Sequence, residues 1–333
     1  MLKFYKILFF NTMIFSIMTA ISSHSWIYMW LSLEINLISI IPLMISDMNM
    51  YNSEAIMKYF SSQSMASMLF IFSILSLMNN FMFIKMFNLI LSSSLLMKMG
   101  AAPFHFWFPQ VMEGLNWNMN LLMLTSQKII PFIMLSYNMN NQILFFYFIV
   151  ISNSLIGSLL GLNQISLRKI LTYSSINHMS WMIMSMKISL NLWMTYFLIY
   201  SLISINIIMY FKIFNIFYIK QMILKLNKNK MTKMFLAANF FSLGGLPPFL
   251  GFLPKWFTMN ELINQNFWLI NLIMIMGSLI TLYYYLRIIF TSLIINHSEI
   301  IFFKNNKFQF WLLTFNFVNL SSLILTLIFF TMK

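Results

Sequence analysis

The sequence predicts an all-α polytopic membrane protein. Eleven transmembrane helices form two inverted five-helix repeats, each with a broken fourth helix, plus one C-terminal helix. Three observations carry this reading. Sixty per cent of the 333 residues are hydrophobic and 8% are charged, with mean hydropathy +0.81. A soluble domain carries about 25% charged residues, and a surface this poor in charge must face lipid. The apolar residues also fall into stretches of the roughly 20 residues that a bilayer core requires of a helix. Finally, most of the charges gather in the links between those stretches.

The first stretch, 7–22, is longer than a signal-peptide core and no small-residue cleavage site follows it, so it reads as a retained helix. The next four predicted helices are 26–46, 57–78, 86–114 and 119–137. Together with the first they make the repeat 7–137. The second repeat, 142–294, holds 142–162, 169–187, 190–214, 234–264 and 267–294, and 309–330 is the extra helix. The segments 86–114 and 234–264 are too irregular to be continuous. One contains Gly100-Ala-Ala-Pro103 and then Pro109, the other Gly244-Gly-Leu-Pro-Pro248 and then Gly251 and Pro254. Pro103 frees the carbonyl of Met99 and Pro247 that of Leu243. Free carbonyls are costly in lipid, so these breaks are expected to face protein or water. Each break is fourth in its run of five, the pattern that marks transport sites in repeat-built transporters. Five helices per half is an odd number, so the second half starts on the opposite side and the repeat is inverted.

The basic residues set the orientation. With the N-terminus inside, fourteen lysines and arginines fall on the inside, while Lys85, Lys187 and Lys333 fall outside. The longest link, 215–233, is the most basic and reads as an orientation signal beside anionic lipid such as cardiolipin. This placement accounts for the net charge of +14 without a nucleic-acid partner. The chain has no cysteine, so it has no disulfide, thiolate metal site or iron–sulfur ligation. It also lacks glycine-rich nucleotide motifs and metalloprotease motifs. No metal or cofactor site is expected in this chain.

Three basic residues, Lys98, Lys128 and Lys255, fall inside predicted spans, and of six acids Glu34 alone lies at a helix centre. Each such charge costs about 2.5–3.5 kcal/mol on insertion scales. Lys128 sits mid-helix, with Thr125 one turn before it and Pro131 one turn after, and is too central to snorkel easily. Lys98 precedes the first break and Lys255 follows the second, where freed carbonyls and water are at hand. A desolvated amine can gain and lose a proton during a cycle. Glu34 is the carboxylate available to pair with Lys98. A static ion pair or snorkelling is the alternative reading for Glu34, Lys98 and Lys255. His178 shares a face with Ser174 and Ser175 and is either a satisfied core histidine or a relay. Asn153, Ser154, Ser201, Ser204 and Asn206 line a hydrated path or bond between helices. Gly157 and Gly161 form a G-x-x-x-G that lets two helices approach.

Five runs in order complete the picture. They are Ser32-Leu-Glu-Ile-Asn36; Lys98-Met-Gly-Ala-Ala-Pro-Phe-His-Phe-Trp-Phe-Pro109; Gln127-Lys-Ile-Ile-Pro131; Gly161 through Lys169 with Tyr173 through Trp181; and Gly244-Gly-Leu-Pro-Pro-Phe-Leu-Gly-Phe-Leu-Pro-Lys-Trp256. Together they closely resemble the antiporter-like core subunits of respiratory complex I. Position 32 is Ser where many relatives have Gly. The resemblance implies the fourteen-helix family fold in the form of bilaterian animals, which lacks the first three helices. It assigns proton translocation to Glu34, Lys98, Lys128 and Lys255, with His178 left as an optional relay. It implies subunits 4L and 4 and the lateral helix of subunit 5 as neighbours, and no NADH, flavin or quinone site in this chain. Gly, Ala, Arg and Pro are scarce while Met numbers 33, a bias that fits ATA read as Met in an animal, insect-like mitochondrial genome. The expected location is the mitochondrial inner membrane, with the N-terminus in the matrix and the C-terminus in the intermembrane space. Two rivals stand beside this reading: a stand-alone cation/proton antiporter, and a structural spacer whose charges are static pairs.

Overall fold

A computed structural model describes residues 4–45, 49–79, 83–139, 142–226, 230–294 and 316. Among them the only regular elements are helices, joined by turns and one isolated antiparallel bridge, Ser166 to Tyr218. Seven of these helical segments are long and apolar enough to cross a membrane. The chain forms two compact units, Met1–Ser152 and Asn153–Lys333.

The first unit begins with the hairpin α1 (Phe4–Ser22) and α2 (Trp26–Met44). Ser25 caps α2 by accepting from the amide of Tyr28, and Asn52 donates to the carbonyl of Met44 at its far end. Helix α1 shows most of its Ile, Leu, Phe and Met side chains to the outside and buries Met13, Ser16 and Ala20. That pattern suits lipid as solvent, where small and polar residues form the helix–helix contact. Helix α3 (Met50–Met78) begins seven residues before its predicted start at 57. Its first turns are polar, and the exposed pair Glu54–Lys58, 2.6 Å apart, supports helix beyond the apolar run.

The segment predicted as 86–114 divides into α4 (Ile84–Met99) and α5 (Trp107–Gly114). At the break Gly100 to Ala102 are buried, while Pro103, Phe104 and Phe106 lie on the surface of the chain. The predicted helix 119–137 is one apolar span, Trp117–Asn138, interrupted at Thr125 (φ −114°, ψ −80°) between α6 (Trp117–Leu124) and α7 (Ser126–Asn138). The cause is local. Thr125 and Ser126 hydroxyls bond the carbonyls of Leu121 and Leu122 and compete with the helix ladder. Pro131 offers no N–H to the carbonyl of Gln127.

Helix α8 (Ile143–Gly161) leads into the second unit, which holds α9 (Leu167–Ile188), α10 (Leu190–Ile213), α11 (Ile219–Leu226), α12 (Lys230–Gly244), α13 (Phe252–Asn264) and α14 (Trp268–Ile294). Helix α9 is buried from Ser174 to Met186 although it carries Ser174, Ser175, Asn177, His178, Ser180 and Ser185. In lipid the polar helix goes to the centre, because a polar group left facing the hydrocarbon has no partner. Short α11 falls in the stretch predicted as the link 215–233. Its Lys225 donates to the carbonyls of Phe214 and Asn215 at 3.0 and 2.7 Å, closing the end of α10. Gly157 packs so closely on α9 that an added Cβ would sit 2.7 Å from the backbone nitrogen of Asn177, the close approach expected of the G-x-x-x-G. The predicted helix 309–330 lies outside the described residues, apart from Asn316.

Candidate functional site

The first unit brings Lys98 and Lys128 to one place. Helix α4 ends one residue after Lys98, where Gly100 turns the chain with φ 71°. A Cβ on Gly100 would lie 2.9 Å from Cβ of Phe108, so the glycine admits α5 against the end of α4. The ring of Phe108 in turn faces Lys128, with Nζ 5.5 Å from its centroid. Lys128 is 1% exposed and Lys98 7% exposed. Both line a cavity of about 20 Å³, enough for roughly one water molecule. Asn36, Tyr59, Gln63 and Gln127 supply the other polar walls.

These polar walls are hydrogen-bonded to each other and to the backbone. Asn36 Nδ2 donates to Gln127 Oε1 and Gln127 Nε2 donates to Asn36 Oδ1, both at 3.2 Å. The Tyr59 hydroxyl donates to Gln127 Oε1 at 3.4 Å. Gln63 donates to the carbonyl of Lys98 at 3.3 Å, and the Trp107 indole to that of Met97 at 3.1 Å. Sequence reasoning missed Tyr59 and Gln63. Their signal was available: two polar side chains one turn apart on an apolar helix, hence on one face.

Glu34 is half-buried on α2 and is an electrostatic neighbour of Lys98, but the two groups are not within 4.0 Å of each other. Its Oε1 is buried without a hydrogen bond among the described residues.

The second unit holds Lys255 and His178. Lys255, 3% exposed, donates from Nζ to the carbonyl of Gly244 at 2.9 Å and lies 6.0 Å from the Trp181 ring centroid. The helical partner of that carbonyl would be the nitrogen of Pro248, which has no hydrogen. The lysine beyond the break thus takes an acceptor that the break releases. Gly245, with φ 75°, makes room: a Cβ there would lie 2.8 Å from Cδ of Lys255.

His178 is buried, with Nδ1 3.0 Å from the hydroxyl of Tyr196, and its ring lies against Tyr200 at 5.1 Å between centroids. Ser174 and Ser175 donate to the carbonyls of Leu171 and Thr172 in their own helix. The histidine sits in a tyrosine-rich cluster that the sequence reading did not anticipate. Ser201 and Ser204 bond the carbonyls of Leu198 and Ser201 in their own helix.

Known proteins resemble this chain in sequence and in fold. The family described as NADH:quinone oxidoreductase/Mrp antiporter, transmembrane, matches residues 23–281. NADH-ubiquinone oxidoreductase chain 2 of Anopheles gambiae is 44% identical over 328 residues, covering 96% of each chain. The protein of the same name from Locusta migratoria is 43% identical, covering 88% of this chain and 87% of its own. Among solved structures, a chain of respiratory complex I from Thermus thermophilus with bound aureothin superposes with TM-score 0.87 at 20% identity. It covers 97% of this chain and 79% of its own length, and the two share a fold. The chain belongs to the NADH:quinone oxidoreductase/Mrp antiporter transmembrane family, and within it to the NADH-ubiquinone oxidoreductase chain 2 proteins.

Proposed function

We propose that this chain is a core membrane-arm subunit of mitochondrial respiratory complex I and carries protons on Glu34, Lys98, Lys128 and Lys255. The observation that carries the reading is the shared cavity of Lys98 and Lys128, two buried amines beside room for one water. A proton reaches Lys98 near Glu34, which biases the lysine through its charge without touching it. It continues to Lys128, and Lys255 serves the second unit from its seat on the Gly244 carbonyl. Redox chemistry elsewhere in the complex supplies the free energy, and this subunit holds no NADH, flavin or quinone site. His178, tied to Tyr196, is an optional relay.

Eleven helices in two inverted repeats are the architecture that goes with this role. Supporting it, each broken helix has a glycine at φ 71° or 75°, at positions 100 and 245, and each restarts as helix seven residues later, at Trp107 and Phe252. The subunit sits in the mitochondrial inner membrane with its N-terminus in the matrix and its C-terminus in the intermembrane space. Its neighbours are subunits 4L and 4, the lateral helix of subunit 5, and cardiolipin.

Lys128→Ala in the assembled complex tests the function. Assembly on a native gel is expected to persist, and proton pumping to fall on the order of 10²-fold, the low end of what a positioned proton-transfer group contributes. Unchanged protons per electron would make the chain a static spacer.

A further inference from the structure

We propose that Gln127, Asn36 and Tyr59 are positioning residues: they hold one water molecule in the cavity between Lys98 and Lys128, oriented to pass a proton from one amine to the other. The proposal rests on the relay reading above and adds to it three groups that cannot themselves carry the charge.

The cavity has the volume of about one water. Apart from the two amines, its polar wall is Asn36, Gln127, Tyr59 and Gln63, while Leu33, Phe108 and Met123 contribute apolar surface. A water there needs two to four polar partners, and these groups supply them. The two amides bond each other reciprocally, which uses one N–H and one acceptor site of each and leaves each a second N–H and a second lone pair. Gln127 Oε1 also accepts from Tyr59, so its acceptor capacity is taken. The amide planes are thereby locked, and the free donors keep fixed directions.

The position of Gln127 supports the role. Neighbouring residues on a regular helix project about 100° apart, yet Gln127 and Lys128 both reach the cavity. They lie in the first turn of α7, directly after the interruption at Thr125, and both side chains are long enough to reach it. On the opposite side, Gln63 holds the carbonyl of Lys98.

In the transfer, an N–H bond of the Lys98 ammonium breaks as a bond forms to the water oxygen. One of the water's own O–H bonds breaks as its proton joins Nζ of Lys128. One proton moves and the water is restored.

The test uses the whole complex in coupled membranes, reading assembly, turnover, protons per electron and the pH profile of turnover. Gln127→Leu is expected to assemble and to slow pumping about tenfold, the equivalent of one lost hydrogen bond of about 1.4 kcal/mol, with a displaced pH profile. Asn36→Gln and Gln127→Asn each misfit the pair and impair pumping, whereas the exchange Asn36→Gln/Gln127→Asn restores one long and one short amide and recovers it. A merely structural role would change assembly and leave the pH profile alone. Wild-type pumping in Gln127→Leu, with Lys128→Ala defective, overturns the positioning role while the relay stands. Wild-type pumping in Lys128→Ala overturns the relay itself. If Gln127→Leu does not assemble, Tyr59→Phe and Asn36→Gln decide, and wild-type pumping and pH profile in both overturn the proposal.

Discussion

Lys255 finds a hydrogen-bond acceptor inside an apolar chain because Pro248 leaves the carbonyl of Gly244 without its helical partner. The exchange depends on one atom of space. Gly245 has φ 75°, and a Cβ there would lie 2.8 Å from Cδ and 3.0 Å from Nζ of Lys255, whereas at Gly244 the nearest neighbour would be 3.6 Å away. Gly245→Ala is therefore expected to displace the lysine, with a left-handed backbone cost of about 1–2 kcal/mol. Gly244→Ala, which meets only ordinary van der Waals contacts and needs no left-handed backbone, should cost less. Thermal inactivation of the assembled complex measures the difference, and equal midpoints for the two variants would contradict it. Glu34 and Lys98 follow a different logic. Neither amine nor carboxylate touches the other, so Glu34→Gln should lower pumping while leaving assembly close to normal. Loss of a contact ion pair would instead cost about 3–5 kcal/mol and deplete the complex on a native gel.

At the scale of elements, what packs against a small residue decides its tolerance. A Cβ on Gly157 would meet backbone of α9, the nitrogen of Asn177 at 2.7 Å and the carbonyl of Tyr173 at 2.8 Å. A Cβ on Gly161 would meet the ring of Tyr284 at 2.8 Å, a side chain rather than backbone. Gly157→Ala should separate two helices and cost about 1–3 kcal/mol, as overpacking does, with Gly161→Ala milder; the amount of assembled complex reports the order. Helix α11 is held by its own lysine. Lys225→Met removes both bonds to the end of α10 and should destabilise that end by about 0.5–1.5 kcal/mol for each net hydrogen bond lost. Faster proteolysis within 215–226 from the accessible face is the readout, and an unchanged cleavage rate would remove α11 as a brace.

Across the whole molecule, charge placement is the testable feature. In the second unit, the link after α8 and the link after α10 meet: the amide of Leu167 donates to Phe217, that of Ile219 to Ile165, and Arg287 of α14 reaches the carbonyl of Gln164. Arg168, Lys220, Lys225 and Arg287 thus come from segments that join at one end. The positive-inside rule assigns that end to the matrix. Since the chain has no cysteine, Lys220→Cys introduces a single thiol. It is expected to react with a membrane-impermeant reagent in inside-out vesicles and to stay unlabelled in mitoplasts. Labelling from the outer face would reverse the orientation.

Properties that follow from local covalent chemistry were legible in the chain alone. Lipid-solvated helices follow from composition and apolar length. The breaks at Gly100–Pro103 and Gly244–Pro248 follow from missing N–H groups. The expense of a buried charge singled out Lys98, Lys128, Lys255 and Glu34; the prolines pointed to a freed carbonyl at Leu243, whereas Lys255 takes that of Gly244. Tertiary structure decided everything that depends on which helix faces which. It set Tyr59 and Gln63 of α3 beside Lys98 and Lys128, left Glu34 short of contact with Lys98, ringed His178 with tyrosines and put polar α9 at the centre of its unit. The physical reason is the solvent. In water an apolar face points inward and tells a reader where the core lies. In lipid the apolar residues serve equally inside and outside, so helix faces are chosen by small-residue contacts and scattered polar groups, whose partners lie far away in the chain.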